Sequence, residues 1–218
     1  MSTLTAGGQD YRLLSLGERR ESLAALTNLF RLCFAQYEGA LSISEDYLPW
    51  FSQRPGFDWE GSQVALANDA AAASLFITVS PMIVGGVPLT VAITDSVMTH
   101  PEHRRRGLAR ALMLCSIEAV KSRAHANVLF TQPGTPPHDL YLSLGFRDWF
   151  LIHVWERNPA TPPSASRLLP VSDAESQGRA RGVLEAFWSR QECWLDLDDA
   201  LWRWRKHLRP ACAPNAVY

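Results

Sequence analysis

Between Asp69 and Asp95 the chain carries no charged side chain. A run of that length and polarity belongs either in a bilayer or in the middle of a sheet. The punctuation inside it decides between the two. Pro81, Gly85, Gly86 and Pro88 interrupt the run, and much of the remainder is Val, Ile and Thr. A membrane span needs unbroken internal backbone pairing, which such a segment meets poorly. Two strands joined at Gly85-Gly86 accommodate the same residues without that difficulty. The expectation is a buried hairpin, residues 73–83 paired with residues 87–99.

Composition narrows the rest. With 21 basic and 22 acidic side chains among 218 residues, the formal charge of -1 gives no global field for binding nucleic acid. The hydrophobic share of 47% is too high for disorder. Cys33, Cys115, Cys193 and Cys212 are scattered, with no CxxC and no histidine at ligand spacing, so no metal is expected. The opening MSTLTAGGQDYR has no apolar core of a leader peptide, and a cytoplasmic protein without membrane association is expected.

Periodicity sets the element order. Residues 10–16 read as a strand. Leu23, Leu26, Phe30 and Phe34 mark a helix over 18–34, and a second helical stretch covers 44–51. A strand at 62–67 precedes the hairpin. A helix follows over 103–123, with Leu108, Leu112, Cys115 and Ala119 on one face. Next come a strand at 126–131, a short helix capped by Thr135 and ended by Gly145, and a strand at 146–155. The fold class is α/β (α+β): a mixed, mostly antiparallel sheet flanked by helices, with a helical C-terminal extension.

The boundary follows from composition. Residues 158–166 read NPATPPSAS, a linker, which leaves a domain over 1–157 and an extension over 167–218. Helical patterns at 173–190 and 198–208 carry Trp188, Trp194, Trp202 and Trp204 interleaved with Arg181, Arg190, Arg203 and Arg205. This extension is either a lid packed on the core, a surface for a partner, or the start of a degenerate second copy. The last reading rests on Arg12-Leu13-Leu14 recurring as Arg167-Leu168-Leu169.

The chemistry concentrates where the second hairpin strand ends. Val97, Met98 and Thr99 lead through His100 and Pro101 into Arg104-Arg105-Arg106-Gly107-Leu108-Ala109-Arg110. Cations at a helix start oppose its dipole, whereas the free amides there attract an anion. Arginines around a glycine at that point suit a pyrophosphate better than a merely solvated face. Gly107 lets a phosphate approach the backbone, and Ala109 keeps the next position small.

Arg104-x-x-Gly107-x-Ala109 resembles the Gln/Arg-x-x-Gly-x-Gly/Ala signature of the GNAT superfamily of N-acetyltransferases. Its context agrees: the strand and loop 97–101 precede it, and Tyr141-Leu142-Ser143-Leu144-Gly145-Phe146 is similar to the family's Tyr-x-x-x-Gly-Phe. The resemblance spans about residues 11–156. It implies acetyl-CoA as co-substrate, with the pantetheine arm along Val97, Met98 and Thr99. The pyrophosphate would lie on the loop formed by Arg104, Arg105, Arg106, Gly107, Leu108, Ala109 and Arg110.

The resemblance also implies that Tyr141 protonates the departing thiolate; a core aromatic is the alternative. Asp95, which breaks an apolar run, is read either as the base that deprotonates an amine or as a carboxylate anchoring a loop. Alternation places it on the side of Val97 and Thr99. Gly134 and Pro137 stand where many members carry Asn and Ala, and His138 is read either as a further group facing the thioester or as a solvent-facing histidine at the helix start. The acceptor implied is a small-molecule amine. Alternatives left open are an acyl-CoA decarboxylase or S-acyltransferase loading an acyl carrier protein, a non-catalytic CoA-binding interaction protein, and a homodimer.

Overall fold

The hairpin over the uncharged run forms the middle of a sheet. β1 (Ser2–Ala6), β2 (Gln9–Ser15), β3 (Gln63–Ala67), β4 (Ala70–Val84) and β5 (Val87–Thr99) pair antiparallel in that order. β6 (Ala126–Val128) joins β5 in parallel. Residues 72–78 of β4 are all buried, which explains the missing charges: a central strand covered on both faces has no solvated side for one. The computed structural model describes residues 2–35, 44–151, 173–195 and 198–206. They divide into two units, 1–131 with 192–218, and 132–191.

In the first unit, a 3-10 turn over Leu16–Ser22 leads into α1 (Leu23–Cys33), and α2 (Tyr47–Phe51) follows. The expected helix over 18–34 therefore starts late. Glu18 folds back to accept from the Ser15 amide at 3.0 Å, and Arg19 leaves helical geometry. The helix expected over 103–123 is likewise shorter. A 3-10 turn covers Pro101–His103, and α3 (Leu108–Val120) begins only after Arg105 (φ +60°) and Gly107 (φ +77°), both left-handed. Arg123 beyond its end grips Asp58, and the Ser116 hydroxyl donates to the Gly61 carbonyl, so α3 is tied to the turn before β3.

β4 is longer than β3, and its far end finds another partner. β7 (Cys193–Leu195) pairs with Met82–Val84, and the Gly85 amide donates to the Glu192 carbonyl at 2.8 Å. The sequence does not announce this strand, because three residues are too few for alternation to register. α6 (Asp199–Lys206) completes the unit, with Leu201, Trp202 and Trp204 buried.

The second unit contains α4 (Pro136–Ser143) and α5 (Ala174–Trp188), the latter capped by Asp173 on the Ser176 amide. Residues 146–151 form no strand, contrary to the expectation for 146–155; residues 152–155 lie outside the described residues. Trp149 and Leu151 are exposed there. An alternating pattern becomes a strand only where a neighbouring edge takes its backbone groups. The linker at 158–166 also lies outside the described residues. No described helix is long and apolar enough to cross a membrane.

One glycine before the sheet has no tolerance for a side chain. Gly56 sits at φ +81°, and a Cβ there would lie 2.0 Å from the Val79 carbonyl oxygen. The two backbones are bonded, Val79 N to Gly56 O at 2.8 Å. Gly56→Ala is expected to lower unfolding stability by roughly 2–4 kcal/mol through strain and overpacking. Urea melts should show the midpoint falling at constant slope.

Candidate functional site

β5 and β6 are paired only at Val91–Ala126, Ala92–Asn127 and Ile93–Val128. Beyond Ile93, β5 continues to Thr99 against β4 alone, while residues 129–131 form no strand. The two strands therefore part at Thr94, whose hydroxyl donates to the Asn127 side chain at 2.8 Å. From Asp95 onward one edge of β5 has no described strand to pair with, leaving backbone donors and acceptors for an extended ligand.

A bulge interrupts β5 at the same place. Asp95 pairs with Phe76 and Met98 with Ser74, so Ser96 and Val97 together oppose Leu75, and Ser96 takes φ +52°. The extra residue reverses the alternation. Paired residues share a face, so Asp95 lies on the side of Met98, not of Val97 and Thr99. That corrects the placement read from simple alternation. The Met98 side chain is buried, while Val97 and Thr99 are partly exposed.

The loop after β5 is built from the residues the sequence singled out, but they do different things. Arg104 turns back, its Nε donating to the Thr99 carbonyl at 3.2 Å and closing the strand-to-helix turn. Arg105 is exposed. Arg106 donates to the hydroxyl of fully buried Tyr11 at 2.6 Å, and that oxygen lies 2.9 Å from His103 Nδ1. Burial first, then the charges of Arg106 and His100, lower the His103 pKa. With Nδ1 unprotonated, His103 accepts a hydrogen bond from the Tyr11 hydroxyl, whose oxygen in turn accepts from Arg106. Leu108 is buried and anchors the helix, Ala109 is half-buried, and Arg110 is exposed.

At Gly107 a Cβ would meet nothing within 4 Å. The space over the α3 N-terminus is open, and the first helical amides have no partner within the helix. This is a cradle for an anion bordered by arginines, and the residues present fit the pyrophosphate of CoA. Tyr11, in the first unit's β2, carries no sequence signal for its part in it. Tyr11→Phe leaves Arg106 and His103 without their shared oxygen. It is expected to cost about 1–3 kcal/mol of stability by chemical denaturation.

Asp95 has a partner that the sequence did not suggest. Its Oδ2 accepts from Arg54 Nη1 at 3.2 Å. Burial pushes the Asp95 carboxyl pKa up, and Arg54 pulls it part of the way back. The Arg54 guanidinium also lies 5.6 Å over the ring of Trp204 in α6. Nothing in the residues around Arg54, Ser52-Gln53-Arg54-Pro55, marks it in advance, whereas the Trp/Arg pattern of α6 does stand out.

The second unit holds Tyr141, one turn from the end of α4. Its ring is buried and meets Phe146 edge-on at 5.9 Å, and the Phe146 amide donates to the Tyr141 carbonyl at 3.1 Å. Burial raises its phenol to about 12. His138 is engaged at both nitrogens: Nδ1 accepts from the Gly134 amide at 3.3 Å, and Nε2 donates to Asp148 at 2.9 Å. Those bonds tie it to the Pro133–Pro137 stretch on one side and to Asp148 on the other. Among the described residues no group of three or more His, Cys, Asp or Glu side chains gathers to hold a metal.

A family model described as an acetyltransferase (GNAT) domain matches residues 18–147. No curated protein matches the chain by sequence. Among solved structures, an acetyltransferase from Trypanosoma brucei is similar at 21% identity and TM-score 0.52, over 68% of this chain and 100% of its own. An aminoglycoside acetyltransferase from an uncultured soil metagenomic sample matches at 20% identity and TM-score 0.52, over 72% and 100%. AAC(6')-Iy, solved with a bisubstrate analogue, matches at 17% identity and TM-score 0.50, over 69% and 98%. At these identities the likeness is one of fold.

Proposed function

The chain belongs to the acetyltransferase (GNAT) domain family, and on that footing we propose that it moves an acetyl group from acetyl-CoA to the amine of a small molecule by direct attack. The observation that carries the reading is the open start of α3 at Gly107, reached from the stretch of β5 that has parted from β6. The loop amides of residues 105–110 take the pyrophosphate, with Arg105 and Arg110 adding charge beside them. The edge of β5 that no described strand pairs, from Asp95 to Met98, takes the pantetheine amides as a further strand would. Acetyl-CoA supplies the activated thioester carbonyl.

Each proton then needs a place. An amine is protonated at neutral pH and must lose a proton before it attacks. Asp95 is the acceptor for it in this reading, because burial raises its basicity, with Arg54 pulling the shift part of the way back. The amine nitrogen bonds to the carbonyl carbon, the carbon–sulfur bond breaks, Tyr141 donates its phenol proton to the thiolate, and the second proton lost by the nitrogen as the amide forms restores the phenol. The free thiols of Cys33, Cys115 and Cys193 suit a reducing compartment, and we place the enzyme in the cytoplasm.

The test is thiol release from acetyl-CoA, propionyl-CoA and malonyl-CoA with a polyamine, an aminoglycoside, an arylalkylamine and a carrier protein. Amine-dependent release from acetyl-CoA supports the reading. Release only with the carrier protein, or decarboxylation of malonyl-CoA, replaces it.

A further inference from the structure

Arg54 is a charged side chain only 11% exposed, and a cation so placed needs compensation. Asp95 accepts from its Nη1 at 3.2 Å, and the face of Trp204 lies 5.6 Å from the guanidinium carbon. Its Nε is buried without a hydrogen-bond partner. The guanidinium is thus held between one carboxylate and one ring.

Trp204 is itself fixed. It stacks on Trp50 with centroids 4.5 Å apart and planes 6° from parallel. The two residues exchange hydrogen bonds: Trp204 Nε1 donates to the Trp50 carbonyl at 2.9 Å, and Trp50 Nε1 donates to the Trp204 carbonyl at 3.3 Å. Phe51 closes on the Trp204 ring at 6.2 Å, edge-on. Arg54 lies four residues after Trp50, just past the end of α2, and the stack brings the Trp204 indole against its guanidinium. Arg205 and Tyr47 also face Arg54, the first opposing its charge and the second favouring it.

We propose that Trp204 is a positioning residue for Asp95: α6 clamps the Arg54 guanidinium between an indole face and the carboxylate, and so fixes where that carboxylate stands at the bulge of β5. The inference rests on the reading of Asp95 as proton acceptor. It gives α6, which lies beyond the residues matched by the family model, a part in the reaction. A ring stacked only for packing would not need to carry a cation on its face. Here the cation is the link between the C-terminal segment and the strand that ends at the signature loop.

The experiment has two arms on the full chain. In the first, the 15N resonances of the Arg54 guanidinium are followed by NMR, where pairing with Asp95 slows rotation and separates the Nη signals. Asp95→Asn and Trp204→Leu are both expected to collapse that separation, and Trp204→Phe, which keeps a ring face, to retain it. Separate signals persisting in Trp204→Leu overturn the proposal.

The second arm compares thiol release with the same panel of amines. Trp204→Leu is expected to reduce turnover about tenfold with the KM for acetyl-CoA unchanged. Added to Asp95→Asn it should reduce turnover no further, whereas losses that multiply overturn the coupling. Wild-type turnover in Asp95→Asn would instead remove Asp95 as proton acceptor, and the NMR arm still decides whether Trp204 holds the pair.

Discussion

Gly107→Glu is expected to weaken CoA binding by 100-fold or more while leaving the fold intact. The argument is electrostatic and steric together. The α3 amides and the arginines around them present positive potential to one open volume, into which no atom from beyond the adjacent residues projects within 4 Å of the Gly107 Cβ position. A glutamate would put a carboxylate into that volume and repel the pyrophosphate meant for it. Losing a charge-assisted contact costs about 1.5–3 kcal/mol, and every 1.4 kcal/mol is about tenfold in affinity. Repulsion adds to that loss.

The backbone contributes separately. At φ +77° any residue other than glycine is strained, by about 1–3 kcal/mol. Gly107→Ala carries that strain without the charge, and its CoA affinity is expected to fall much less. Calorimetric titration of both variants with CoA separates the terms. Equal losses would assign the effect to the backbone, and unchanged binding in Gly107→Glu would remove the assigned pyrophosphate site.

Tyr141→Phe is the second large effect expected. It keeps the ring against Phe146 and the burial, and removes only the hydroxyl proposed as proton donor. General acid catalysis contributes on the order of 10²–10⁴-fold, so turnover should fall by about 100-fold or more with the KM for acetyl-CoA unchanged. The pH dependence follows from the sign of the shift. Burial raises the phenol to about 12, which keeps the donating form protonated to higher pH than an ordinary tyrosine. Activity should therefore show no loss assignable to this group up to about pH 10. Steady-state kinetics of Tyr141→Phe across pH 6–10 check both points, and full activity would return Tyr141 to a packing role.

Much of the frame is legible in the sequence. The uncharged run becomes β4 and β5 because a strand buried on both faces excludes charge, and that exclusion is a property of composition alone. The signature loop is legible for a similar reason: a glycine among arginines after a strand is a local conflict that an anion resolves, and locality is what sequence records. Helix ends are less so. α3 starts later than its apolar period suggests, because Arg105 and Gly107 turn the backbone left-handed before it. The strand expected over 146–155 fails over its described part because alternation does not reveal whether an edge is available.

By itself, then, the sequence determined the sheet class and the central hairpin, since each follows from side-chain chemistry within a few residues. The tertiary structure alone decided what Asp95 faces. A one-residue bulge at Ser96 moved it to the side of Met98, and Arg54, distant in sequence, supplied its counter-charge. Trp204 reached Arg54 only because α6 folds back onto Trp50, a contact between segments 154 residues apart. The uncharged run reaches Asp95 at that bulge, where β5 has already parted from β6 and beyond which it pairs with β4 again at Met98 and Thr99.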